Sequence, residues 1–193
     1  LRPGVTFLSK NANQKALSCD INPGKVRQVQ KKIEENSTLI EELVNKIVDT
    51  HCKPLDDFMK WIRDILSDHD NPPTDRELDD MTLTLPNLLY FTGEALESVG
   101  IREDIAKAIK MELYNTKYDQ ADGTISDKTA IAELNTQVEH VTWVVYQRAY
   151  KKIRLRMDAG NEQLQSVKKV VSRRMTEYDL TRVAPDRIGG VKR

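Results

Sequence analysis

From Lys25 onward, apolar side chains recur at alternating steps of three and four. Val26, Val29, Ile33, Ile40, Leu43 and Ile47 follow this rhythm, and the polar Asn36 fills the one missing slot. That spacing gathers one stripe on one side of a helix and has the form of a heptad seam of about three repeats. Two readings stay open: a seam that pairs copies of the chain, with Asn36 fixing register, or an ordinary helix of a single molecule. Pro54 interrupts the pattern, and Leu55, Phe58, Met59, Ile62, Ile65 and Leu66 resume it. A proline inside a helix removes one hydrogen bond and crowds the preceding turn, which predicts a break or kink near His51–Pro54. Asn71-Pro72-Pro73 stops the element.

Thr74-Asp75-Arg76-Glu77 has the form of a capping box, in which Thr74 accepts from a free amide and Glu77 reaches back. A short acidic turn is expected next. Pro86 suits a first helical position, and Leu88, Leu89, Phe91, Leu96 and Val99 predict an apolar helix ending at Gly100. A further helix is expected from Glu103 to about Tyr118, with Ile105, Ile109 and Leu113 on one face, and a turn from Asp119 to Gly123. Ser126 is a good N-cap for a long helix in which Ile131, Leu134, Val138, Val141 and Val145 make a second narrow seam. That helix continues through Tyr146, Tyr150 and Ile153 toward Met157. Gly160 reads as a break, before a last helix carrying Leu164, Val167, Val171, Met175 and Tyr178. Pro185 and Gly189-Gly190 end regular structure.

No strand alternation of useful length occurs, so the expected class is all-α, with long seam-bearing helices in a bundle or coiled-coil type of oligomer. The expected organisation is an irregular arm over 1–24 and a kinked heptad-bearing helix over 25–70. Short helices with an acidic segment follow over 71–123, long C-terminal helices with a basic face over 124–182, and a basic tail over 183–193.

Charge changes the picture more than composition does. Charged residues form 31% of the 193 residues and aromatics only 6%, a profile that suits long helices with solvated faces. The formal net charge is zero. Yet Tyr146–Arg193 carries 13 Lys and Arg against five acids, a net +8, which leaves −8 for the rest. Asp56–Asp80 alone holds nine acids and three bases, a net −6. A basic end on a neutral chain points to a polyanion, or to the acidic part of a neighbouring copy. Composition does not choose between them.

No apolar run approaches the roughly 18 residues of a membrane span, and no signal-peptide pattern opens the sequence, so no membrane partner and a cytoplasmic location are expected. Cys19 and Cys52 form no CxxC pair and read as reduced thiols. His51, His69 and His140 lack the i, i+4 spacing of a helical zinc site, and Asp68-His69-Asp70 lacks the glycine and distal Glu of a calcium loop. An all-α nucleotide hydrolase needs acidic pairs on facing helices. Glu94 and Glu97 offer one pair, but the position three after Glu112 is Asn115. No catalytic residue, metal or cofactor is expected, and the chain does not read as an enzyme.

The basic segment is the most informative chemistry. Arg148, Lys151, Lys152, Arg154 and Arg156 crowd one helix beside Tyr146 and Tyr150, and Lys168, Lys169, Arg173 and Arg174 repeat the theme. Phosphates of a single strand need such cations, and exposed aromatics stack on splayed bases. Taken alone, the tyrosines read as core residues, although Tyr150 is also a candidate for stacking on a base.

The stretch Lys110-Met111-Glu112-Leu113-Tyr114, the Asp122-Gly123 turn, the long helix and Ser166-Val167-Lys168-Lys169 together resemble the UvsY recombination mediators of T-even-like phages. Arg173-Arg174-Met175-Thr176-Glu177-Tyr178 fits the same pattern. The likeness covers about residues 105–182. It implies a homo-oligomer that binds single-stranded DNA in the host cytoplasm and helps load a RecA-like recombinase onto DNA covered by single-strand binding protein. It also adds Lys110 to the DNA-binding candidates, but Glu112 stands where the family carries a second basic residue. The alternative is a helical structural, scaffold or adaptor protein with no nucleic-acid role.

Overall fold

The computed structural model describes the backbone of residues 23–188, and the side chains of 27–181 apart from Val29. The expected arm over 1–24 therefore lies almost wholly outside the described residues, as do Gly189-Gly190 and the end of the tail. The chain divides into two units, Leu1–Ser37 and Thr38–Arg193.

The chain is all-α. Its described residues form four helices: α1 (Pro23–Ser67), α2 (Asp75–Gln120), α3 (Ile125–Asn135) and α4 (Gln137–Ile188). Helix α1 starts at Pro23, where a missing N–H costs nothing, and runs through Pro54 as one helix. In the first unit its surface carries an i, i+4 pair, Lys31–Glu35, at 3.7 Å. The turn after Ser67 is organised by Asp68, whose carboxylate accepts the backbone N–H groups of Asp70 and Asn71 and the Asn71 side chain. Thr74 and Glu77 then make the expected capping box: the Glu77 N–H donates to Thr74 Oγ1 at 3.3 Å, and the Thr74 N–H to Glu77 Oε2 at 2.7 Å.

The breaks expected at Pro86, Gly100, Gly160 and Pro185 are not there, and α4 runs through Pro185 to Ile188. Helix α2 is continuous for 46 residues through Pro86 and Gly100, because Met81, Leu85, Leu89 and Thr92 bury the same face on both sides of the proline. Gly100 is a contact rather than a stop: a Cβ there would lie 3.2 Å from the Tyr150 ring. Gly160 likewise sits inside α4, where a Cβ would meet Leu89 at 2.8 Å and Met59 at 3.5 Å. Side chains of α1 and α2 meet α4 at that point, and an added side chain would have to shift the Leu89 Cδ2 methyl. The real break falls at Thr136, which separates α3 from α4. Helix α3 is capped by Thr124 rather than Ser126, through a second capping box with Asp127.

Helices α2 and α4 run antiparallel, since Asp75, Leu89, Gly100 and Lys110 face Arg174, Gly160, Tyr150 and Trp143 in reverse order. Within Thr38–Arg193, α1 packs beside both. One core cluster joins Leu55 and Ile62 to Leu78, Met81, Leu85, Leu89, Leu164 and Val167. A second joins Val44, Val48 and Cys52 to Val99, Val145, Ala149 and Ile153. Burial pushes the Cys52 thiol above its ordinary pKa. No described helix is long and apolar enough to cross a membrane.

The seam expected to pair copies is divided by this packing. Ile40 and Ile47 join the second core cluster, and the deeply buried positions are Val44 and Val48. Ile33 and Leu43 are exposed, as is Asn36. The side chains of Val26 and Val29 lie outside the described residues.

Candidate nucleic-acid interface

Helix α4 turns Val145, Ala149, Ile153, Met157, Gly160, Leu164 and Val167 inward at steps of three and four, so most residues between them face water. This period sorts the predicted phosphate-binding cations into two groups. Arg148, Lys151, Arg154, Lys168, Lys169 and Arg173 are exposed, and among the described residues none has an acid within 4.0 Å.

The other three are engaged within the chain. Arg156 forms an ion pair with Asp56, with side chains 34% and 26% exposed. Arg174 Nη1 donates to Asp75 Oδ1 at 2.9 Å. Lys152 Nζ donates to Asn45 Oδ1 on α1. The acidic stretch Asp56–Asp80 thus meets the basic helix inside one molecule at two points. The cleft beside Asp56 has a volume of about 650 Å³ and mixes Asp56 and Asp57 with Lys60, Arg63 and Arg156, so it presents no field of one sign.

Periodicity also sets the shape of the exposed cationic face. Arg148, Lys151 and Arg154 form one patch, and Lys168, Lys169 and Arg173 form another. The acids Asp158 and Glu162 are exposed between them. At 1.5 Å of rise per residue, Lys151 and Lys169 stand about 27 Å apart along the helix. A strand following α4 would therefore meet two positive patches with a negative band between them.

Tyr146 and Tyr150 pack against the second core cluster, and Tyr150 lies over Gly100. That placement follows the core reading of the tyrosines, and the Tyr150 ring considered for stacking is only partly exposed. Lys110, the candidate supplied by the family resemblance, stands apart from both patches. Its ammonium lies 4.9 Å from the centroid of the Trp143 ring, on a recess of about 260 Å³ that Lys107, Met111, Tyr114 and Asn115 also line. Trp143 Nε1 is buried with no hydrogen-bond acceptor among the described residues. Trp143 and Lys107 were absent from the sequence-derived site. Their signal lay in the antiparallel register of α2 and α4, which no local motif encodes.

Glu94, half of the acidic pair considered for a hydrolase, is an exposed residue of α2. A hydrogen bond to it, reinforced by its charge, raises the Tyr90 hydroxyl above its ordinary pKa. The chain matches no known family model, no curated protein and no solved structure.

Proposed function

We propose that this chain is a helical, self-associating accessory factor of DNA recombination or replication that binds single-stranded DNA along the outer face of α4. The observation that supports this reading is the set of six exposed cations on one helix, Arg148, Lys151, Arg154, Lys168, Lys169 and Arg173, without acidic partners among the described residues. Cations that have no internal role remain available for phosphates and release counterions when they engage them. Each patch alone holds a strand weakly. Repetition around an oligomer multiplies the contacts and gives avidity without base readout. The resemblance to recombination mediators extends the proposal to loading a RecA-like recombinase on strands covered by single-strand binding protein.

Fluorescence anisotropy with a labelled oligonucleotide tests it. Affinity is expected to fall steeply with salt, and each phosphate contact removed by Lys151→Ala, Arg154→Ala, Lys169→Ala or Arg173→Ala to flatten the slope by about 0.7. Absence of binding at low salt, or an unchanged slope in the fourfold variant, defeats the reading.

A second reading, a scaffold or adaptor subunit without a nucleic-acid role, draws support from the internal pairing of Arg156 and Arg174 with the acidic stretch. It predicts persistent self-association together with no oligonucleotide binding.

A further inference from the structure

Beyond the level of Val99 and Val145, the second core cluster stops, while α2 and α4 continue side by side. Between them opens a groove of about 260 Å³ whose floor is Ile105, Ala106, Ile109, Val138 and Thr142. Ile105, Ile109 and Val138 are 54%, 52% and 74% exposed, and they line one groove together rather than standing singly. Ile101 and Val141, one turn away on the same two helices, are also exposed and extend the apolar surface. A contiguous patch of large aliphatic side chains, rimmed by charge, marks an interaction surface.

The rim indicates what covers it. Arg102 and Glu139 both line the groove, and they do not pair with each other. Because α2 and α4 are antiparallel, Arg102 lies at the end near Tyr146, and Glu139 at the opposite end near Val138. Glu139 is half-buried in the groove wall, and among the described residues no cation lies within 4.0 Å of its carboxylate. A twofold axis through the middle of the groove brings the Arg102 end of one copy onto the Glu139 end of the other, twice. Closed, two-copy interfaces have this self-complementary form.

We infer that this groove is an isologous dimer interface, in which the α2–α4 extensions of two copies bury their Ile105–Ile109–Val138 faces against each other. In that arrangement Arg102 of each copy reaches Glu139 of the other. The inference deepens the self-association part of the proposed function and is independent of DNA binding.

Sedimentation velocity on the full chain tests it with a charge-swap cycle. Arg102→Glu and Glu139→Arg, singly, are expected to weaken the dimer by about tenfold or more each, because each sets like charges face to face. The double variant Arg102→Glu/Glu139→Arg is expected to recover most of the wild-type affinity. Far-UV circular dichroism and thermal melting of the single variants should remain those of a folded chain, so that loss of association is separable from loss of fold. Wild-type protein that stays monomeric at high concentration overturns both this inference and the self-association reading. A wild-type oligomer that neither single variant perturbs, or whose loss the double variant does not restore, overturns this interface alone.

Discussion

Around Ile62, Met81 and Val167, three helices share a core whose central side chains are fully buried. Farther along the same α2, Ile101, Ile105 and Ile109 stand half in water, although their residue types are no less apolar. The difference lies in what neighbours each stretch. In the first region α1 covers the seam between α2 and α4. In the second, the described residues of Thr38–Arg193 supply only α3 beside the same pair of helices. Burial of aliphatic area contributes about 25 cal/mol per Å², so the first region dominates stability and the second leaves its apolar area in water.

The sharpest test of this contrast is a pair of truncations. Ile62→Ala removes a fully buried side chain and is expected to cost about 2–5 kcal/mol in urea unfolding, whereas Ile105→Ala should change monomer stability by less than about 0.5 kcal/mol. Similar losses at both sites would show that the extension is covered within one chain.

The next effect concerns the ion pair that joins α1 to α4 in the well-packed region. Arg156→Ala leaves Asp56 partly buried without its partner and is expected to cost about 1–2 kcal/mol. That is less than a fully enclosed pair would lose, because about a third of the Arg156 side chain remains in water. If Arg156 instead serves DNA, the variant lowers affinity and leaves the melting temperature unchanged. Thr74→Ala should follow at about 1 kcal/mol, since it removes the acceptor at the start of α2 and frees the Glu77 amide.

The smallest expected effect is a pH dependence of the two helix caps. Hydrogen bonds from Thr74 hold the Glu77 carboxyl below its ordinary pKa, and those from Thr124 do the same for Asp127. A depressed folded pKa means that the stabilisation is complete above the unfolded value of about 4. It fades as pH falls from there and is gone below the folded value. The melting-temperature gap between wild type and Glu77→Gln should accordingly shrink between about pH 6 and about pH 3. A gap that stays constant would mean that the charge of Glu77 plays no part in the cap.

Much of this architecture was legible in local chemistry. The helical class, the stop before Pro72, the Thr74–Glu77 box and the helical character of the basic segment all depend on spacings within a few residues. Such spacings act through the backbone of one turn. Breaker residues were less informative, because Pro54, Pro86, Gly100 and Gly160 have different meanings in isolation and in a bundle. At Gly160 and Gly100 the absent side chain serves a neighbouring helix, and only the approach of Leu89 or Tyr150 reveals that.

The site divides along the same line. That α4 carries an excess of cations follows from residue order alone. Which of them remain free depends on where α1 and the start of α2 lie, because Asp56, Asp75 and Asn45 are distant in sequence from Arg156, Arg174 and Lys152. The groove bounded by Arg102 and Glu139 is likewise absent from any linear motif. Helix periodicity within one segment specifies which side chains share a face. Only the register between segments decides whether that face meets a core, an opposite charge or water.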